Sequence, residues 1–341
     1  MAAPAALAPA PRTVHTRGRP SARGSGRRRR GAPVQLHLVP RALEVAHPEH
    51  LNHTGDLWGA WNVDPQLLVP LALAAVWYAR GLSRWPERSR EHPRWRTALF
   101  YLGLLVLLLA IESPLDAAAE HHLTFHMIQH ELLIVVAPAL ILLGAPTTPL
   151  LRGLPRELRL GVVRRLARRH AVRRGWRLLT HPLLAGGAFT VVLWLWHLAP
   201  GWYEAALTSE WIHELQHVSF SAVGLLVWWN VIDPAPLQAR LAYLPRILFV
   251  LAVGVPKHIL GAFLTFAEEP FYPYYEGRQF IDISLATDQQ IAGLIMWAPS
   301  QLVMLGVAAA IFAVWYQKSG QGRPDEPPAA PEPLGSRGAR A

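Results

Sequence analysis

No cysteine occurs anywhere in the chain. Disulfides, iron–sulfur clusters and thiolate metal sites are thereby excluded, and any metal must be held by histidine, methionine or carboxylate. Charge is also scarce. Only 16% of residues are Asp, Glu, Lys or Arg, against 52% hydrophobic and 14 tryptophans. Long apolar runs recur along the 341 residues, the pattern of a polytopic membrane protein. The formal net charge of +10 would suit nucleic acid. Yet the arginines sit between apolar runs and in the N-terminal tail, where membrane topology accounts for them. The expected surroundings are a lipid bilayer, with no nucleic-acid partner.

The two ends lack any apolar pattern. Residues 1–60 are rich in Pro, Ala and Arg and read as a disordered tail in which His47, His50 and His53 are solvated. No apolar run follows Arg27–Arg30, so this stretch makes a poor signal peptide. Residues 318–341, rich in Pro and Gly, read as a second disordered tail. Between them, 61–317 reads as a membrane domain.

Seven apolar stretches are expected to be helical spans: about 65–82, 97–112, 121–145, 182–199, 211–232, 244–266 and 288–316. The loops after the first, third and fifth carry nearly all the interhelical arginine, including Arg164, Arg165, Arg168, Arg169, Arg173 and Arg174 between 152 and 177. Those after the second, fourth and sixth are acidic, with Arg278 their only arginine. Basic loops favour the cytoplasm. The expected fold is therefore an all-α bundle of seven transmembrane helices, N-terminus outside and C-terminus inside.

Histidine within a span is costly and marks a partner, a cavity or a ligand. The third span opens with His121, His122, His126 and His130. At i and i+4, His126 and His130 share a helix face. His213 and His217 have the same spacing at the start of the fifth span, and His197 ends the fourth. A rise of about 1.5 Å per residue puts these five, with Glu112, Asp288 and Met296, in one layer of the outer leaflet. Imidazole suits copper and zinc, and thioether favours cuprous ion. His121 and His122, at the interface, read as a solvated rim. Lys257 and His258 interrupt the sixth span, and an acidic neighbour would pair with them.

Two other chemistries use the same residues. His213-Glu214-Leu215-Gln216-His217 fits HExxH, the pattern of a zinc metalloprotease with glutamate as base. A third ligand is required, and the nearest downstream acid, Asp233, lies about 24 Å along the helix from His217. A bis-histidine haem site would need opposed imidazoles spaced by a porphyrin.

Five ordered segments resemble one known family. They are Glu112-Ser113-Pro114-Leu115-Asp116, HMIQHELLIVVAPALILLGAP (126–146), WLWHLAPGWYEAAL (194–207), HELQHVSF (213–220) and DQQIAGLIMW (288–297). The chain is similar over about 62–316 to the CtaG family of multi-span bacterial cytochrome c oxidase assembly factors. The resemblance implies a seven-helix protein of the bacterial plasma membrane. Its role would be to mature haem–copper oxidase by binding copper and passing it to an oxidase subunit, without enzymatic activity. Carried over by position, the expected metal residues are His126, His130, His197, His213, His217, Asp288 and Met296. Zinc enters only under the protease alternative, and a metal-free scaffold for an oxidase subunit is the other. The Arg-rich N-terminal tail and Lys257-His258 depart from the family pattern.

Overall fold

The apolar runs are helices, and polar caps set where they begin. The structure, a computed structural model, describes residues 57–86, 92–199, 201–233 and 240–320. His47, His50, His53 and most of both expected tails lie outside the described residues. Helix α1 (Pro65–Ser83) starts where the Asp64 carboxylate accepts from the Gln66 N–H at 2.8 Å, with Pro65 at a position whose N–H a helix does not need. Helix α2 (Arg94–Glu112) ends beside it, and the Glu112 carboxylate accepts from the Asp64 N–H at 3.0 Å. The short α3 (Pro114–Ala119), capped by Ser113, holds Asp116 against Asn62 and Gln129 at 2.9 and 2.6 Å.

Helix α4 (Leu123–Leu143) has no cap of its own. Asp288, far along the chain, accepts from the N–H groups of Leu123 and Thr124 at 2.9 and 3.1 Å. Two of the four donors that a helix start leaves unpaired are thus met by another helix. Halfway along, a π-helical turn covers Leu132–Val136. Pro138 follows it and has no N–H to offer the Ile134 carbonyl, so the ladder widens there. Gly224 backs onto this turn so closely that a β-carbon would lie 2.5 Å from the Ile134 carbonyl oxygen.

The remaining helices are α5 (Thr147–Gly153), α6 (Arg164–Arg168), α7 (His170–Leu179), α8 (Pro182–Leu198), α9 (Trp202–Thr208), α10 (Glu210–Val231), α11 (Tyr243–Phe266) and α12 (Leu285–Gly320). No strand occurs among the described residues. The stretch 152–177, expected as a loop, is largely helical instead, because its arginines alternate with exposed Leu166, Val172 and Trp176 in amphipathic order.

Among the described residues, five helices are long and apolar enough to cross a membrane: α1, α2, α4, α11 and α12. A sixth arises if α7 and α8, bent by 63°, count as one. Helix α10, which carries His213, Glu214, Gln216, His217 and Asn230, is not among them. Phe189, Leu193, Phe220, Val227, Leu260, Leu264 and Met296 form the buried apolar core, whereas Val69, Val191, Leu248 and Leu302 are exposed on its outside. The bundle has an acidic end, with α3, α9 and the segment 267–284, and a basic end with α6 and α7.

Candidate metal centre

Histidines from three helices meet near the acidic end. His126 and His130 come from α4, His213 and His217 from α10, and His197 from the last turn of α8. Ring centroids lie 4.3 Å apart for His126–His130, 4.1 Å for His213–His217, 5.3 Å for His126–His213, 5.7 Å for His130–His217 and 5.8 Å for His130–His197. Within this group, His126, His130 and His217 each offer a ring nitrogen, all within 4.8 Å of one another. His126 and His130 are each 1% exposed.

Among the described residues, Nε2 of His126, both nitrogens of His130, and Nε2 of His197 and of His217 have no hydrogen-bond partner. An unmet buried polar atom costs about 1–3 kcal/mol. Five of them would rival the roughly 5–15 kcal/mol that keeps a typical domain folded. A donor set of several convergent, desolvated imidazoles fits a transition-metal ion and suits copper or zinc.

A second layer fixes the rings. Nδ1 of His197 donates to the Leu193 carbonyl at 2.8 Å. A carbonyl can only accept, so this tautomer is set and the Nε2 lone pair is free. His126 Nδ1 lies 3.1 Å from the Tyr275 hydroxyl, which is 3.3 Å from the Tyr203 hydroxyl. The Tyr272 hydroxyl donates to the His197 carbonyl at 3.0 Å. Burial pushes the hydroxyls of Tyr203, Tyr272 and Tyr275 above the ordinary phenol range, so they stay protonated. Sequence reasoning passed over these tyrosines. The run Phe271-Tyr272-Pro273-Tyr274-Tyr275, aromatic and next to an acidic loop, was the available signal.

Other expected site residues have contacts of their own. The Asp288 carboxylate is engaged by the start of α4 and by Gln279 Nε2 at 3.3 Å. Met296 is packed into the apolar core. His122 is not a solvated rim. It is 1% exposed, and its Nε2 accepts from the N–H groups of Phe280 and Ile281 at 3.2 and 3.1 Å, pinning the loop before α12. His121 is half-buried, with Nδ1 2.9 Å from the Ala117 carbonyl. Both histidines of HELQH join the cluster, and Glu214 between them is half-buried.

Lys257 finds the acidic partner the sequence left unnamed. Its Nζ lies 2.5 and 2.6 Å from the two carboxylate oxygens of Glu131 and donates to Ser300 Oγ at 2.5 Å. Ser300 in turn donates to Glu131 at 2.5 Å. Glu131 follows His130 directly. By helix rise, His126 and His130 lie about 5 and 11 Å below Leu123, and Lys257 about 14 Å below Phe266, so the ion pair is just beneath the imidazoles. His258 is half-buried beside it.

The family of the cytochrome c oxidase caa3 assembly factor, CtaG, matches residues 76–318. Uncharacterised proteins of Mycobacterium bovis and Mycobacterium tuberculosis are each 26% identical over 260 residues, and one of Mycobacterium leprae is 25% identical over 268. Each alignment takes in 75% of this chain but 39% of the relative, so the chain spans about two-fifths the length of the curated relatives it matches. No solved structure matches.

Proposed function

We infer that this chain, which belongs to the cytochrome c oxidase caa3 assembly factor family, binds copper at the histidine centre and delivers it to an oxidase subunit. Family membership and the apolar helices make it a multi-pass protein of the bacterial plasma membrane, and the family's role supports cytochrome c oxidase as its partner. Copper as cargo is our reading. One observation carries it: His126, His130 and His217 present ring nitrogens within 4.8 Å of one another in a buried setting.

In this reading His126, His130 and His217 hold the ion. Nε2 of His197, whose ring lies 5.8 Å from that of His130, is a further unpartnered donor, and His213, 4.1 Å from His217 by ring centroids, completes the rim. Asp288 and Met296 leave the ligand set, one as a helix cap and one as core packing. Imidazole ligands without thiolate hold copper firmly enough to carry it, and exchange between five clustered rings gives it a way to leave. No bond in the partner is made or broken, so the role is not enzymatic. We also read α8 and α10 as spans, giving seven, with the acidic end outside. A C-terminal reporter active only outside the cell would overturn that orientation.

The test is copper content after purification with added copper. Wild type should retain metal, and His126→Ala/His130→Ala/His217→Ala should lose it. Equal copper in both would refute the centre. If the triple variant also restores full oxidase activity to cells lacking the protein, a metal-free scaffold replaces the copper reading. Glu214→Gln should leave oxidase assembly intact, and its failure would favour the protease.

A further inference from the structure

A cavity of about 180 Å³ opens at the acidic end between α3, α4, α9 and the start of α10. Asp116, Glu120 and Glu210 line it, and His126 and His213 are among its inner residues. Among the described residues, no lysine or arginine lines it. Glu210 is exposed at the rim and Glu120 is half-buried. Asp116 is buried and held by Asn62 and by Gln129, which also donates to the Ala110 carbonyl at 2.8 Å, so its charge is fixed in place. The carboxylates alone would be an ordinary acidic surface. What makes the cavity different is His126 in its wall, 1% exposed and with Nε2 unpartnered. On the opposite side of the imidazoles, the Lys257 ammonium is clamped between Glu131 and Ser300.

We propose that this cavity is the loading route of the centre. A small transition-metal cation passes Glu210, Glu120 and Asp116 to reach His213 and His126, and goes no deeper because Lys257, Glu131 and Ser300 close the core beyond His130. The inference rests on the copper reading and adds two things to it, a path and a direction. Negative groups in a low-dielectric funnel concentrate cations and raise their arrival rate. The buried ion pair of Lys257 and Glu131, with Ser300 on both partners, fills the core beyond the site and occupies the carboxylate oxygens a cation would need there. The centre therefore exchanges metal with one side of the membrane only.

The experiment uses the full chain in lipid nanodiscs mixed with cupric ion, with loading followed by quenching of tryptophan fluorescence. Glu120→Gln/Glu210→Gln should load about tenfold more slowly than wild type at low salt. The gap should close at high salt, and copper per chain at saturation should be unchanged. Glu210→Gln alone, at the exposed rim, should be slowed to a lesser degree and guards against a folding failure. Glu157→Gln, exposed at the basic end, should load as wild type does. Equal rates in wild type and the double variant would overturn the route while leaving the copper centre standing. Loss of saturating copper in Glu210→Gln would make that carboxylate a ligand and overturn it as well. If wild type takes up no copper, the copper reading itself fails and the route with it. In sealed vesicles enclosing a copper-sensitive dye, the dye should stay silent, and a signal would overturn the closure.

Discussion

Replacing Lys257 by methionine keeps the length of the side chain and removes its charge. Lys257 is 1% exposed and the Glu131 side chain 14%, so the carboxylate left behind has almost no water to turn to. Ser300 still donates to it at 2.5 Å, but one hydroxyl does not replace an ammonium that meets both oxygens. Breaking one half of such a buried pair costs about 3–5 kcal/mol. Removing both halves is different, because a buried ion pair is often no better than an apolar pair of equal volume. Lys257→Met/Glu131→Leu should therefore lie within about 1–2 kcal/mol of wild type, and each single variant well below it. Ser300→Ala removes one hydrogen bond to a charged group and should cost about 1.5–3 kcal/mol. Equilibrium unfolding in mixed micelles with increasing denaturing detergent measures all four. Two results would refute the reasoning: Lys257→Met as stable as wild type, or a double variant as unstable as the two single losses combined.

Three further outcomes follow from the same contacts. Asp288→Ala should cost about 1–2 kcal/mol through loss of the cap on α4 while leaving copper stoichiometry unchanged; metal analysis beside a melting curve checks both, and loss of copper in a folded variant would return Asp288 to the ligand set. Tyr275→Phe should leave the fold intact and weaken copper binding about 10–100-fold, because the hydroxyl orients His126; competition with a chelator of known affinity gives the number, and unchanged affinity would deny Tyr275 that role. Gly224→Val should destabilise by about 1–3 kcal/mol, since its β-carbon would meet the Ile134 carbonyl oxygen at 2.5 Å; a melting temperature equal to wild type would mean that α10 does not press on the π turn.

Much of the fold could be read from the sequence, because helices in an apolar solvent must satisfy their own backbone and therefore follow the apolar runs. Depth was readable as well. Helix rise is fixed, so His126, His197 and His217 could be set in one layer before any contact was known. Rotation and partnership could not. Asp288 occupies the same layer, yet its carboxylate turns to the N–H groups of Leu123 and Thr124, a pairing across the chain with no local signature. His122 looked interfacial because it begins a span. It is buried because the segment 279–281 folds over it and donates to its ring. Lys257 stood out as a charge in an apolar run, but nothing near it in sequence named Glu131, which instead read as one letter of the histidine motif.

That letter explains why α4 holds the bundle together. Successive residues on a helix point about 100° apart, so His130 and Glu131 cannot serve the same neighbour. His130 turns to His197 of α8 and His217 of α10, whereas Glu131 turns to Lys257 of α11 and Ser300 of α12. One helix thereby joins two pairs of helices through two kinds of polar contact, imidazoles on one side and an ion pair on the other. The π turn begins at the next residue, Leu132. By adding a residue to one turn, it shifts the phase of everything below, which lets Ile134 meet Gly224 without pulling His130 and Glu131 off their separate partners. Straightening that turn would rotate the lower half of α4 against α10. Pro138 opposes this by withholding the N–H that a regular α-helix would need there.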